Sequence, residues 1–431
     1  MIKRYLAIIW LLTLISPWQA QALTIEITGG TEAALPIAIV PFGHEGFTAP
    51  EDISAVIEGD LSRSGRFAPL PKQDLISQPH EKAEINFKDW RLLRSESLLV
   101  GKVSSVDGET YQVQFQLFDV YKGQQLVGKR YQIPASGLRR LAHQIADQVY
   151  QTLTGEEGVF STRLAFVSML KKADGSKRYI LQISDSDGAN PRTVLQSKQP
   201  IMSPSWSPDG EHLAYVSFEN GKSEIFVQEM QSGRRKSVAA FKGINSAPSW
   251  SPDGKKLALT LSKAGNPEIY TLVLATGKLA RVTHNSQAID TEAVWMPNGR
   301  ELLFTSDRGG HPQIYRVSAD GGFAKRVTFD GNYNASADIS PDGQMMAIVH
   351  GENGKFYIAV QNLQSGSLQV LTETGRDESP SFAPNGRMIL YATEQNGKGE
   401  LAAVSVDGQI HQRLGESDRD VREPAWSPIR K

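Results

Sequence analysis

Cysteine is absent from this chain. That excludes thiol nucleophiles, thiolate metal sites and disulfides, and it suits an exported protein that avoids oxidation chemistry. Excess charge of either sign is also missing: 46 basic and 47 acidic side chains leave a formal net charge of −1. Neither nucleic acid nor an acidic membrane is therefore expected as a partner. Histidine is sparse, eight in 431 residues, and His212, His284, His311, His350 and His411 form no ligand-type pair. Beyond the N-terminus no stretch is apolar enough to span a bilayer, so no direct membrane insertion is expected.

What is present at the N-terminus is an address. Lys3 and Arg4 precede an apolar run from Leu6 to Ile15, Pro17 breaks it, and Ala20-Gln21-Ala22 places small residues at −3 and −1 of a cleavage site. A run of about ten residues is half of the ~20 that a spanning helix needs and matches a signal segment. The expectation is a signal peptide over residues 1–22 and a mature chain from Leu23, outside the cytoplasm. No cysteine follows the cleavage site to carry a lipid anchor.

Residues 23–155 read as a small α/β domain. Pro36 to Phe42 is a continuous apolar run, as in a buried strand, and Glu51 to Ser64 is helical by the spacing of Ile53, Val56, Ile57 and Leu61. Leu98 to Val106, Tyr111 to Val120 and Gln125 to Ile133 read as three strands, and a helix from about Ser136 carries Leu138, Leu141, Ile145, Val149 and Leu153 on one stripe. Polar residues from Gln73 to Lys88 read as a loop. His44, His80 and His143 read as surface or packing residues, and Arg139-Arg140 as the solvated face of the last helix.

From residue 206 onward one phrase recurs six times. It begins as Trp206-Ser207-Pro208-Asp209-Gly210 and Trp250-Ser251-Pro252-Asp253-Gly254, and ends as Trp426-Ser427-Pro428. Its prolines, 208, 252, 297, 341, 384 and 428, lie 43 to 45 residues apart. That period with β-prone content is the spacing of four-stranded propeller blades, and Ser-Pro-Asp-Gly suits a type I turn between two strands. Arg163 to Ser168, Tyr179 to Ser184 and Arg192 to Leu195 look like strands two to four of a blade without a first. Glu423 to Trp426 looks like a first strand with nothing behind it. The two ends complete one another, and residues 160–431 are expected to form a six-bladed propeller closed by a blade shared between the start and end of the array.

Meander geometry puts the inter-blade loops and the loops between strands two and three on one face, and the repeated tight turns on the other. The loops that differ among repeats are the better candidates for function. The channel mouth on their face should carry Met202, Asn245, Ala247, Thr291, Glu292, Ala335, Asp377, Glu378 and Glu423. A hydrolase or lyase could use the acids Asp290, Glu292, Asp377 and Glu378, and the same oxygens could hold calcium, although no EF-hand-like spacing supports it. Against an enzyme, the chain has no Gly-x-Ser-x-Gly elbow and no Ser-x-Asp-x-Gly-x-Thr-Trp box. A binding module that needs no cofactor is the better reading.

The signal segment, Pro36 to Phe42, Met202 to Gly210 and the terminal Pro424-Ala425-Trp426-Ser427-Pro428 together resemble the TolB family, periplasmic propeller proteins of the Tol–Pal envelope system, over essentially the whole chain. The resemblance implies a non-enzymatic adaptor. It implies that the channel mouth binds the lipoprotein Pal, through loops that here carry Ile244, Asn245, Ser246 and Ala247, and Asp290, Thr291 and Glu292. Where relatives often have His, this chain has Ile244, which offers no side-chain hydrogen bond. It further implies that the mature N-terminal segment, Leu23, Thr24, Ile25, Glu26, Ile27, Thr28 and Gly29, engages TolA, and that the protein supports outer-membrane integrity and constriction at cell division. A monomer is expected.

Overall fold

The computed structural model describes residues 27–28, 34–44, 46–171, 174–414 and 419–429. The signal segment, Leu23 to Glu26 and Gly29 lie outside the described residues. The first domain is built on a sheet in the order Phe67–Pro69, Leu35–Ile39, Ser97–Ser105, Thr110–Asp119, Gln124–Pro134, with Gly43–His44 also pairing Ser97–Ser105. Leu35–Ile39 runs parallel to both of its neighbours. Ile37 and Ile39 point to one face, against α1 (Ile53–Arg63) and α3 (Leu138–Thr154). Ala38 and Val40 point to the other, against Trp90 of α2 (Phe87–Leu92). Both faces are covered, which is why this strand is apolar without alternation.

Local chemistry sets the helix ends. Asp52 caps α1 by accepting the Ala55 N–H at 3.0 Å. Gly155 closes α3 in the left-handed conformation with φ of 76°. The stretch expected to be a loop, Gln73 to Lys88, instead contains a 3-10 turn at Lys82–Glu84 and the start of α2. Only one residue of α2, Trp90, is buried, so no apolar stripe marks the helix in the sequence.

Six blades follow, five of them four-stranded sheets and one a sheet of five strands. Blade 1 runs Ile201–Trp206, His212–Ser217, Glu224–Glu229, Arg235–Ala239, and blades 2 to 5 repeat it. In blade 6, Asp420–Trp426 pairs antiparallel with Arg163–Lys171, Trp426 opposite Leu164. The ring is closed by the two ends of the array, as the repeats indicated. Blade 5 carries one strand more: Ile27–Thr28 pairs with His411 and Gln412 along its outer edge. The first domain packs closely on the same blade. At Gly65, with φ of 66°, an added Cβ would meet Ile410 Cδ1 at 2.1 Å.

Candidate partner-binding site at the channel mouth

All six first strands carry the same irregularity. Each loses register with its neighbour by one residue, between Met202 and Ser205 in blade 1 and at the corresponding place in the others. Within each bulge one non-glycine residue is left-handed: Ser203, Ala247, Glu292, Ser336, Ser379 and Glu423, with φ between 46° and 56°. These six line both the mouth cavity and the cavity on the turn-bearing face, so they form the waist of the channel. The sequence held a signal for them. Each lies five residues before the proline of the turn, and in four repeats a second proline follows at once: Pro204, Pro248, Pro380 and Pro424. Proline inside a strand is confined to edges and bulges.

The mouth is a cavity of about 870 Å³. Of the residues expected there, Met202, Ser246, Ala247, Thr291, Glu292, Asp377, Glu378 and Glu423 line it. Ile244 stands in the adjoining inter-blade loop, 46% exposed. Asn245, Asp290 and Ala335 do not offer their side chains to it. Asn245 is fully buried and holds its loop together, accepting from Phe241 N and donating to the carbonyls of Ser223, Phe241 and Gly243. Asp290 is equally buried and takes an ion pair at 2.7 Å from Arg308. Ala335 packs inside blade 4. Strand alternation sends Asn245 and Asp290 inward while Ser246 and Thr291 point to the channel.

The mouth acids are nearly all engaged. Asp377 accepts from Thr372 at 2.5 Å and from Thr374. Glu378 pairs with Arg422 at 3.1 Å, and Arg422 reaches Asp420 at the same distance. Glu292 Oε2 accepts from Thr305 Oγ1 of its own blade at 3.0 Å and reaches the next blade, accepting from Ser336 N at 3.1 Å. Glu423 does likewise toward Ser203 N at 3.2 Å. Enclosure by the channel wall, opposed by the Ser203 bond and reinforced by Glu378 and Glu292, pushes the Glu423 carboxyl up to about 7. The channel carboxylates do not converge as a set of three ligating atoms among the described residues.

Sequence reasoning missed an apolar component. Ile289 is 51% exposed and Phe329 72%, and Phe356, which lines the cavity, packs edge-on against Tyr333 at 5.0 Å. With Met202 and Ile244 these make five exposed large apolar side chains on the mouth face. Ile289 had a signal, since it stands eight residues before Pro297 as Ile244 stands before Pro252. Phe329 and Phe356 have no counterpart in the other repeats.

Comparison with known proteins agrees with this architecture. A family model described as the TolB amino-terminal domain matches residues 23–126, and one described as the TolB beta propeller domain matches residues 150–430. The chain belongs to the TolB family. It is 63% identical over 421 residues to the Tol-Pal system protein TolB of Nitrosococcus oceani, covering 98% of this chain and 96% of that protein. A relative of the same name from Xanthomonas campestris pv. campestris is 48% identical over 416 residues, 96% and 94% of the two chains. Among solved structures, TolB from Acinetobacter baumannii superposes with a TM-score of 0.86 at 41% identity, over 95% of this chain and 100% of that one. No helix among the described residues is long and apolar enough to cross a membrane.

Proposed function

We propose that this TolB-family protein is a non-enzymatic periplasmic adaptor of the Tol–Pal system, acting as a monomer without a cofactor. Its channel mouth binds Pal, its N-terminal segment engages TolA, and together these support outer-membrane integrity and invagination at division. The observation that carries the reading is the set of exposed apolar side chains on the mouth face, Met202, Ile244, Ile289, Phe329 and Phe356, beside a cavity whose acids already have partners. Exposed apolar side chains gathered on one face favour docking of a protein surface over turnover of a small molecule. The acids that a hydrolase would use are tied to arginine, threonine or backbone N–H groups, so nothing favours the hydrolytic alternative.

For TolA, the support is the edge pairing of Ile27–Thr28 on blade 5. A strand paired only along a sheet edge near the start of the mature chain is a weak attachment, and the same segment can add as a strand to a partner.

The test is calorimetry with the soluble domain of Pal. Ile289→Arg and Thr291→Arg should each weaken binding by about tenfold or more, mostly through faster dissociation, with an unchanged far-UV spectrum. Asp253→Ala, on the turn-bearing face, should leave the affinity of the folded protein alone. Unchanged Pal binding by both arginine variants would move the interface off the mouth.

A further inference from the structure

A second concentration of charge lies where the first domain meets blade 6, and the adaptor reading makes no use of it. His143 of α3 is 2% exposed. Its Nδ1 lies 2.6 Å from Asp60 Oδ2 on α1. Its Nε2 has no hydrogen-bond partner and lies 4.0 Å from Oδ2 of Asp187. Asp187 belongs to the propeller, in the turn after the strand Lys177–Asp185.

Two guanidinium groups enclose the pair. Arg63 of α1 donates to Asp60 Oδ1 and, across the domain boundary, to Ser186 Oγ, both at 2.8 Å. Arg139 of α3 reaches Asp187 at 2.5 Å, Glu51 at 3.1 Å and Asp185 at 3.5 Å. Asp147, one turn further along α3, accepts from Phe160 N and Ser161 N and feels the charge of Asp60. Four carboxyl groups, Glu51, Asp60, Asp185 and Asp187, thus pair with two arginines, and Asp147 adds a fifth near Asp60. The arginines already occupy carboxylate oxygens that a metal ion would need. A proton on the imidazole fits: it offsets negative charge and gives Nε2 a hydrogen directed toward Asp187.

We propose that His143 is a proton-operated latch between the domains, its imidazolium bridging Asp60 of the first domain and Asp187 of the propeller, so that loss of the proton loosens their contact. Burial opposes the charged ring, but the charge and hydrogen bond of Asp60, helped by Asp187 and resisted by Arg63, hold the His143 pKa above its ordinary 6.5. A histidine whose folded pKa is raised stabilises fully below the unfolded value. That contribution disappears as pH rises through the higher folded value. The latch therefore grips below pH 6.5 and slackens on the alkaline side. Its reach extends to the N-terminal strand, because Gln412 donates its side-chain amide to the Arg63 carbonyl while its backbone pairs with Ile27.

The experiment uses the full mature chain. NMR follows the His143 ring, and hydrogen exchange, corrected for intrinsic rates, follows the amides of the turn 185–190. His143 should titrate above 6.5, and opening of the turn should become more frequent over the same range, by up to about tenfold per unit of pKa elevation. Asp187→Asn should lower the His143 midpoint, and His143→Gln should make turn exchange independent of pH. Should His143→Gln fail to fold, the wild-type titration still decides. A midpoint at or below 6.5, a turn whose protection ignores pH, or a midpoint unmoved by Asp187→Asn would each overturn the latch.

Discussion

Ile244 and Asn245 are adjacent, yet the first is 46% exposed at the mouth and the second is completely buried. The boundary between loop and strand separates them, since Ile244 ends the inter-blade loop and Asn245 opens the strand Asn245–Trp250. Glu423 shows a second effect, since a carboxyl in the channel wall with a pKa of about 7 is costly to ionise. The folded state then binds a proton that the unfolded state releases near 4.5, so this group makes stability fall as pH rises from about 4.5 to 7. Glu423→Gln keeps an acceptor for the Ser203 N–H and removes the titration. It should match the wild type at pH 4 and exceed it at pH 8 by on the order of 1–3 kcal/mol, read from urea unfolding. Equal stabilities at both pH values would mean the carboxyl is not held neutral.

At the scale of the element, the repeated Trp is a fastener between blades. Trp206 Nε1 donates to the carbonyl of Ala425 at 3.2 Å, Trp250 to Ser205 at 3.0 Å and Trp295 to Ser249 at 3.2 Å. Each indole reaches the preceding first strand, so one residue type at one repeat position stitches neighbouring sheets. Blades 4 and 5 have Ile339 and Phe382 instead. There the carboxylate of Asp338 accepts from Phe382 N at 2.7 Å, and burial pushes that carboxyl up to about 6. Trp250→Phe keeps most of the ring and removes the donor, leaving the Ser205 carbonyl without that bond. We expect a loss of about 1–2 kcal/mol in denaturant unfolding. An unchanged midpoint would reduce the indole to an apolar filler.

For the whole molecule, closure of the ring depends on a few terminal residues. Beyond the ladder of Asp420–Trp426, Trp426 Nε1 donates to Thr162 Oγ1 at 2.8 Å and Ser427 Oγ accepts from Arg163 N at 2.9 Å. Removing residues 422–431 would strip blade 6 of its inner strand and uncover the edges and apolar faces beside it. The expected result is a loss of about 5 kcal/mol or more, seen as aggregation or a collapsed thermal midpoint. A truncated protein that melts like the full chain would contradict closure by the shared blade.

The period of the repeated phrase, the blade count, the shared blade and most elements of the first domain were legible in the sequence, because they rest on local patterns. Proline-bearing turns, alternation and a helical stripe repeat within a few residues of one another. The waist residues were half-legible: the second proline of four repeats marked the bulge, but only the fold shows Ser203, Ala247, Glu292, Ser336, Ser379 and Glu423 turned into the channel together. Tertiary structure alone decided that Asn245 and Asp290 serve the scaffold. It also decided that Arg139 and His143, which look in sequence like the ordinary surface of a helix, sit at a domain boundary. The physical reason is distance along the chain. Asp60, His143 and Asp187 have no pattern linking them, and their charges meet only because burial of two apolar helix faces and closure of a ring bring them within a few ångströms.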